Sequence, residues 1–127
     1  MAINFNQNSV FNLKPIEIES VRQEISGMLT STEIIAAAFK TVRDQLIFTN
    51  KRIISVDVQG FTGARKSYGS MPYKNIQYFE IQTKGFLEIF PDSELYIMFS
   101  NGATSTFEFK GSVDIGKIGR LIAEYTL

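Results

Sequence analysis

The chain has no cysteine, no histidine and no tryptophan, and its 127 residues carry a net charge of zero. Without cysteine there is no disulfide framework, no thiolate nucleophile and no cysteine metal site. Without histidine, the usual general base near neutral pH and the commonest metal ligand are both missing. Thirteen acidic side chains remain, and catalysis would need two or three of them converging in one pocket. Long apolar runs are missing too. The longest, IIAAAF at 34–39, falls far short of the ~20 residues a membrane helix needs. The opening MAINFNQNSVFNLK lacks the basic start and apolar run of a signal peptide, and Ala2 breaks the myristoylation pattern. These absences predict a soluble, cytoplasmic protein, and its length predicts one domain.

What is present suits a packed core. The chain is 44% apolar and 13% aromatic, with eleven Phe, which a disordered chain would not carry. Charge is unevenly spread. Between Lys40 and Lys74 lie seven basic residues (Lys40, Arg43, Lys51, Arg52, Arg65, Lys66 and Lys74) against Asp44 and Asp57, whereas acidic residues predominate before and after. This asymmetry points to an anionic partner or to a solvated face. A nucleic-acid partner is disfavoured, because the whole chain is not basic and Arg is sparse.

KPIEIESVRQEISGML (14–29) reads as a helix: Pro15 suits a first turn, and Ile18, Val21, Ile25 and Met28 recur at helical spacing. EIIAAAFKTV (33–42) could be helix or strand, and the succession of strands after it favours strand. DQLIFT and IISVDVQG form a hairpin around Asn50 and Lys51, with Ile54, Val56 and Val58 on one face and Ser55 and Asp57 on the other. GFTGA (60–64) is a loop. Gly69 and Pro72 mark the next strand as an edge or a bulged one, and NIQYFEIQT (75–83) is another strand. ELYIMFS and ATSTFEFK flank Asn101-Gly102, which satisfies a type I′ turn. From Ser112, a plausible N-cap, the chain ends in an amphipathic helix with Ile115, Ile118, Ile122 and Tyr125 on one face. Gly116 and Gly119 either permit close approach to a sheet or weaken that helix.

The order is then a helix, roughly seven antiparallel strands and a helix that can plug an open barrel end. At this point RDQLIFTNKRIISVDVQGFTGARKSYGSMPYKNI (43–76) resembles the bacterial pleckstrin homology (PH-like) domain family. The residues that carry the resemblance are F-T-N-K-R at Phe48–Arg52, Q-G-x-T-G at Gln59–Gly63, and Pro72 with Tyr73. It covers about residues 29 to 127, leaving 1–28 as an N-terminal extension with a helix. It implies a mainly β (α+β) fold: a seven-stranded antiparallel barrel or sandwich capped by the C-terminal helix. It also implies a non-enzymatic module whose members form rings of identical subunits, without cofactor or metal.

Two binding readings follow. In the first, the chain is a homo-oligomeric ring scaffold for a protein partner. GFLEIFP (85–91), with Phe86, Leu87, Ile89 and Phe90, would meet the Tyr68–Tyr73 strand of a neighbour. In the second, Lys40, Arg43, Lys51, Arg52, Arg65 and Lys66 bind a membrane or another anion. Lys51 and Arg52 would stand a strand's length, about 20 Å, from Arg65 and Lys66, which weakens that reading. An enzyme would have to use Glu80, Glu88, Asp92 and Glu94, which show no motif spacing, and GFTGARKS fails the P-loop pattern.

Overall fold

The computed structural model describes residues 7–83 and 92–127. Its strands are β1 (Gln7–Ile16), β2 (Ile35–Lys40), β3 (Gln45–Thr49), β4 (Arg52–Gln59), β5 (Arg65–Pro72), β6 (Ile76–Thr83), β7 (Ser93–Phe99) and β8 (Thr104–Phe109), followed by one helix, α1 (Ile115–Thr126). All eight strands join one sheet in the order β5-β4-β3-β2-β1-β8-β7-β6. β1 is the bridge: it runs antiparallel to β2 and parallel to β8, and so links a four-stranded meander to a three-stranded one. The sheet folds over one core. Phe39 and Phe48 from the first meander pack on Phe109 from the second, with ring centroids 4.7 and 6.5 Å apart. Ile115, Ile118 and Ile122 of α1 close that core. No helix of the described residues is long and apolar enough to cross a membrane.

The mainly β sandwich with its capping helix is present, with three differences from the sequence reading. First, there are eight strands rather than seven, the sheet is not closed, and the β1–β8 pair is parallel. Second, the expected N-terminal helix is absent. Pro15 and Ile16 end β1, and two 3₁₀ turns follow at Ile18–Ser20 and Gln23–Gly27. Pro15 is tolerated there because β1 pairs with β8 only as far as Leu13 and beyond it has β2 alone. Of the four residues read as a helical stripe, only Ile25 is buried, whereas Ile18 and Met28 are exposed.

Ile25 plugs a second core with Ala38, Ile47, Ile54 and Val56, on the face of β2–β4 that points away from the main one. Both faces of β4 are therefore covered, which is why Ile53 to Asp57 are buried without alternation.

Third, two turn details differ. The β7–β8 hairpin forms around Asn101-Gly102, but only Gly102 has positive φ, and Phe99 N–H bonds to Ala103 O at 2.8 Å. This is a three-residue loop with Gly in the left-handed position, not type I′. At α1 the N-cap is Asp114, whose carboxylate accepts from Lys117 N–H at 3.1 Å, and Ser112 lies outside the helix. Gly119 does allow close approach: a Cβ there would collide with the Ile81 side chain of β6.

Candidate functional site

Strand order sets which cations meet. β2 ends at Lys40 and β3 begins at Gln45, while β4 ends at Gln59 and β5 begins at Arg65, so the connections 41–44 and 60–64 share one end of the sandwich. Lys14 of β1 is the direct partner of Lys40. Lys110 follows β8, and its N–H bonds to Leu13 O at 2.9 Å. Lys14, Lys40, Arg43, Arg65, Lys66 and Lys110 therefore gather at this end, and Lys51 and Arg52 lie at the other.

A groove of about 780 Å³ opens at the basic end, lined by Asn12, Lys14, Lys40, Thr41, Val42, Arg43 and Lys110. Asn12 has φ +64° at the point where the β1–β8 register shifts, between Val10 and Leu13. Its left-handed backbone makes a bulge, a conformation Asn tolerates better than most residues. Arg43 Nη2 donates to Gly60 O at 2.6 Å and ties the two connections together. Thr41 Oγ1 accepts from Asp44 N–H at 3.1 Å. At the rim, Lys110 Nζ donates to Asp92 Oδ2 at 3.0 Å, and Gly111 N–H donates to Asp92 Oδ1 at 3.0 Å.

At the far end Arg52 is committed internally. Its Nε and Nη2 grip the Glu33 carboxylate at 2.8 and 3.0 Å, and the same Nη2 reaches Met28 O at 2.7 Å. Thr49 Oγ1 also donates to Glu33, at 2.6 Å. Burial opposes a charge on Glu33, but the hydrogen bonds from Arg52, Thr49 and the Thr30 N–H outweigh it and hold the carboxyl at about 2. Lys51 is exposed in the turn.

The sheet edges are β5 and β6. Tyr68 on β5 is exposed and donates to Glu24 Oε2 at 2.7 Å, and Tyr78 on β6 is exposed and donates to Glu80 Oε2 at 2.8 Å. Tyr73, grouped with the interface by sequence, is instead fully buried; its hydroxyl donates to Thr49 O at 2.6 Å, and burial raises its pKa. Phe86, Leu87, Ile89 and Phe90, and likewise Glu88, lie outside the described residues. Of the remaining carboxylates of the enzyme reading, Glu80 and Glu94 lie on the paired strands β6 and β7, with Glu94 opposite Gln82, and Asp92 lies at the basic rim. Among the described residues no three such side chains gather as a metal cage.

The model of the bacterial PH domain family matches residues 4–126. The chain belongs to this family. As a bacterial PH domain it is similar to two uncharacterized proteins of Bacillus subtilis (strain 168). YjqA is 37% identical over 114 residues, covering 88% of this chain and 90% of that protein. YozO is 31% identical over 103 residues, covering 81% and 87%. Among solved structures, a DUF1696 family protein with a pleckstrin-homology domain from Shewanella loihica PV-4 superposes with a TM-score of 0.77 at 34% identity, over 93% of this chain and all (100%) of that one. A pleckstrin homology domain from Shewanella amazonensis SB2B gives 0.63 at 36% identity, over 88% and 90%.

Five residues of the bacterial PH domain's basic groove escaped the sequence reading: Asn12, Lys14, Thr41, Val42 and Lys110. A lysine in a segment read as helix cannot be aligned with a strand. The one local signal was VFNLK, where apolar residues three apart flank an Asn.

Proposed function

We propose that this bacterial PH domain acts by binding rather than by catalysis, as an assembly module whose copies join into a closed ring that receives a protein partner. The observation that carries this reading is the open sheet. β5 and β6 are two different edges of one sheet, each eight residues long. Unpaired edges template pairing with another chain, and a ring needs two unlike patches that meet at a closing angle. Exposed Tyr68 on one edge and Tyr78 on the other supply apolar area beside the backbone groups. GFLEIFP (85–91) comes soon after β6 in the sequence, and in this reading Phe86, Leu87, Ile89 and Phe90 would meet the Tyr68–Tyr73 strand of the next copy. Docking on an anionic membrane is less well supported, because the six basic residues singled out from the sequence stand at two ends and Arg52 is bound to Glu33.

The test is absolute mass by light scattering behind a sizing column, at two protein and two salt concentrations. A single salt-resistant mass several times 14.3 kDa is expected, falling to the monomer in Phe86→Asp and Phe90→Asp. A monomer at both protein concentrations would sink the reading.

A further inference from the structure

β1 does not run the length of β2. It pairs with Ala38, Phe39 and Lys40 and ends at Ile16, whereas β2 begins at Ile35. On the opposite side the β2–β3 register shifts between Ile35 and Ala37, which leaves Ala36 as the extra residue of a bulge. Among the described residues Ala36 therefore has no cross-strand partner on either side, and it is exposed. A further strand laid along Ile35–Ala37 would satisfy the backbone groups that β1 leaves there.

The gap opens on a pocket. About 220 Å³ lies between β2 and the start of α1, walled by Pro15, Ala37, Phe39, Val113, Ile118 and Leu121. Ala37, Val113 and Leu121 are only partly buried, at the margin of the main core. The volume is below the range of small-molecule sites and has room for one large apolar side chain. Its charges are one-sided. Lys117 stands exposed on the α1 wall with no ion pair among the described residues, and the Lys14–Lys40 pair lies next to the Pro15–Phe39 pair. The carboxylate of the lining, Asp114, is occupied as the cap of α1, where it accepts from Lys117 N–H at 3.1 Å.

We propose that this notch binds a short extended segment of a partner protein. The segment adds as a strand along Ile35–Ala37 in the line that β1 vacates, places one large apolar side chain in the pocket, and sets a neighbouring carboxylate beside Lys117. In strand addition, main-chain hydrogen bonds supply affinity and side-chain pockets supply specificity. Here the small side chains of Ala36 and Ala37 leave room for a backbone to approach between β2 and α1. The unpaired Lys117 selects an acidic neighbour for the apolar residue by charge complementarity. The inference names the kind of segment that the protein partner of the proposed function would present, and so rests on that reading. It needs no ring contact, because β2 lies inside the strand order and the notch is separate from the β5 and β6 edges.

The test is an amide-resolved NMR titration with three acetylated, amidated pentapeptides, T-V-L-E-T, T-V-A-E-T and T-V-L-K-T. Saturable shifts at Ile35–Ala37 and along Val113–Leu121 are expected with the first, together with slower hydrogen exchange at the Ala36 amide. Affinity should fall about tenfold with T-V-A-E-T, which leaves the pocket empty, and about threefold with T-V-L-K-T. In Lys117→Glu the preference between T-V-L-E-T and T-V-L-K-T should reverse, a rescue that misfolding cannot imitate. Four results would overturn the proposal: no saturable shift with T-V-L-E-T, equal affinity for T-V-A-E-T, unchanged exchange at Ala36 in the bound state, or an unchanged preference in Lys117→Glu. Light scattering on the same samples keeps the two readings apart. A monomer that binds T-V-L-E-T would remove the ring and support the notch, whereas a salt-resistant assembly that ignores the peptide would remove the notch and leave the ring.

Discussion

Glu33 carries its charge to a place where its side chain has no exposed surface, and Arg52, Thr49 and the Thr30 N–H compensate it there. Folding lowers its pKa from 4.5 to about 2, so between those values the unfolded chain binds more protons than the folded one. The stabilisation is full above pH 4.5 and disappears as pH falls through about 2. Urea denaturation of Glu33→Gln should show a loss of about 3 kcal/mol at pH 7 and a shallower decline on the acid side, because the titrating group is gone while Arg52 has lost its counter-charge. An unchanged acid profile would mean that other carboxylates govern it. The same contact decides how Arg52 is read. By residue type it belonged with the anion-binding cations, and only the chain's return at Met28–Glu33 shows that its charge is already neutralised.

Elements depend on their neighbours as much as on their own residues. Two glycines of α1 look alike in sequence and are opposite in structure. Gly116 meets only the Asp114 carboxylate at 3.6 Å, whereas Gly119 lies against Ile81 and Phe79 of β6. Gly116→Ala should raise stability by about 0.5–1 kcal/mol through helix propensity and a less flexible unfolded chain. Gly119→Val should lower it by about 2 kcal/mol, since α1 must lift from β6 or Ile81 must leave its place. Thermal melts of the two variants in opposite directions would establish the packing of α1. The segment after β1 has a comparable test. Ile25 has no exposed surface and is the single fully buried side chain of the two 3₁₀ turns. Ile25→Ala should cost about 3 kcal/mol. A loss below about 1 kcal/mol would mean that this segment lies loosely on β2–β4.

β1 shows why elements can be misread from sequence. Val10 and Leu13 are both buried on the main core, although residues three apart on a regular strand face opposite ways. The Asn12 bulge restores the alternation, so the two-residue period is broken just where a strand would be sought. The helical pattern downstream was equally misleading, since Ile18, Val21, Ile25 and Met28 sit on 3₁₀ turns and extended links. The strands from β3 to β8 were legible because the turns between them carry Gly, Asn or Pro, whereas β2 was read as a strand only from the succession of strands after it.

For the whole molecule, the open sheet is the feature with most consequence. A sandwich that leaves the outer sides of β5 and β6 unpaired among the described residues has two long edges to protect. An assembly built on backbone pairing and apolar side chains should resist salt, because mobile ions screen charges and not apolar contacts. The Phe86→Asp and Phe90→Asp variants should lose the assembly at low and high salt alike, measured by light scattering behind a sizing column.

By itself the sequence determined the class of this protein. Turn residues, strand periods and the F-T-N-K-R and Q-G-x-T-G segments are local, and local chemistry was enough for a mainly β PH-like domain with a C-terminal helix. The tertiary structure decided which charges act together. Lys14 and Lys110 are nearly a hundred residues apart, and they meet because β1 inserts between β2 and β8 in a register no short window reveals. The tertiary structure also removed Arg52 and Tyr73 from the surface repertoire, one by a buried carboxylate and the other by the core. Cross-strand register and burial are long-range properties, set by how apolar faces close over one another, and residue type alone does not encode them.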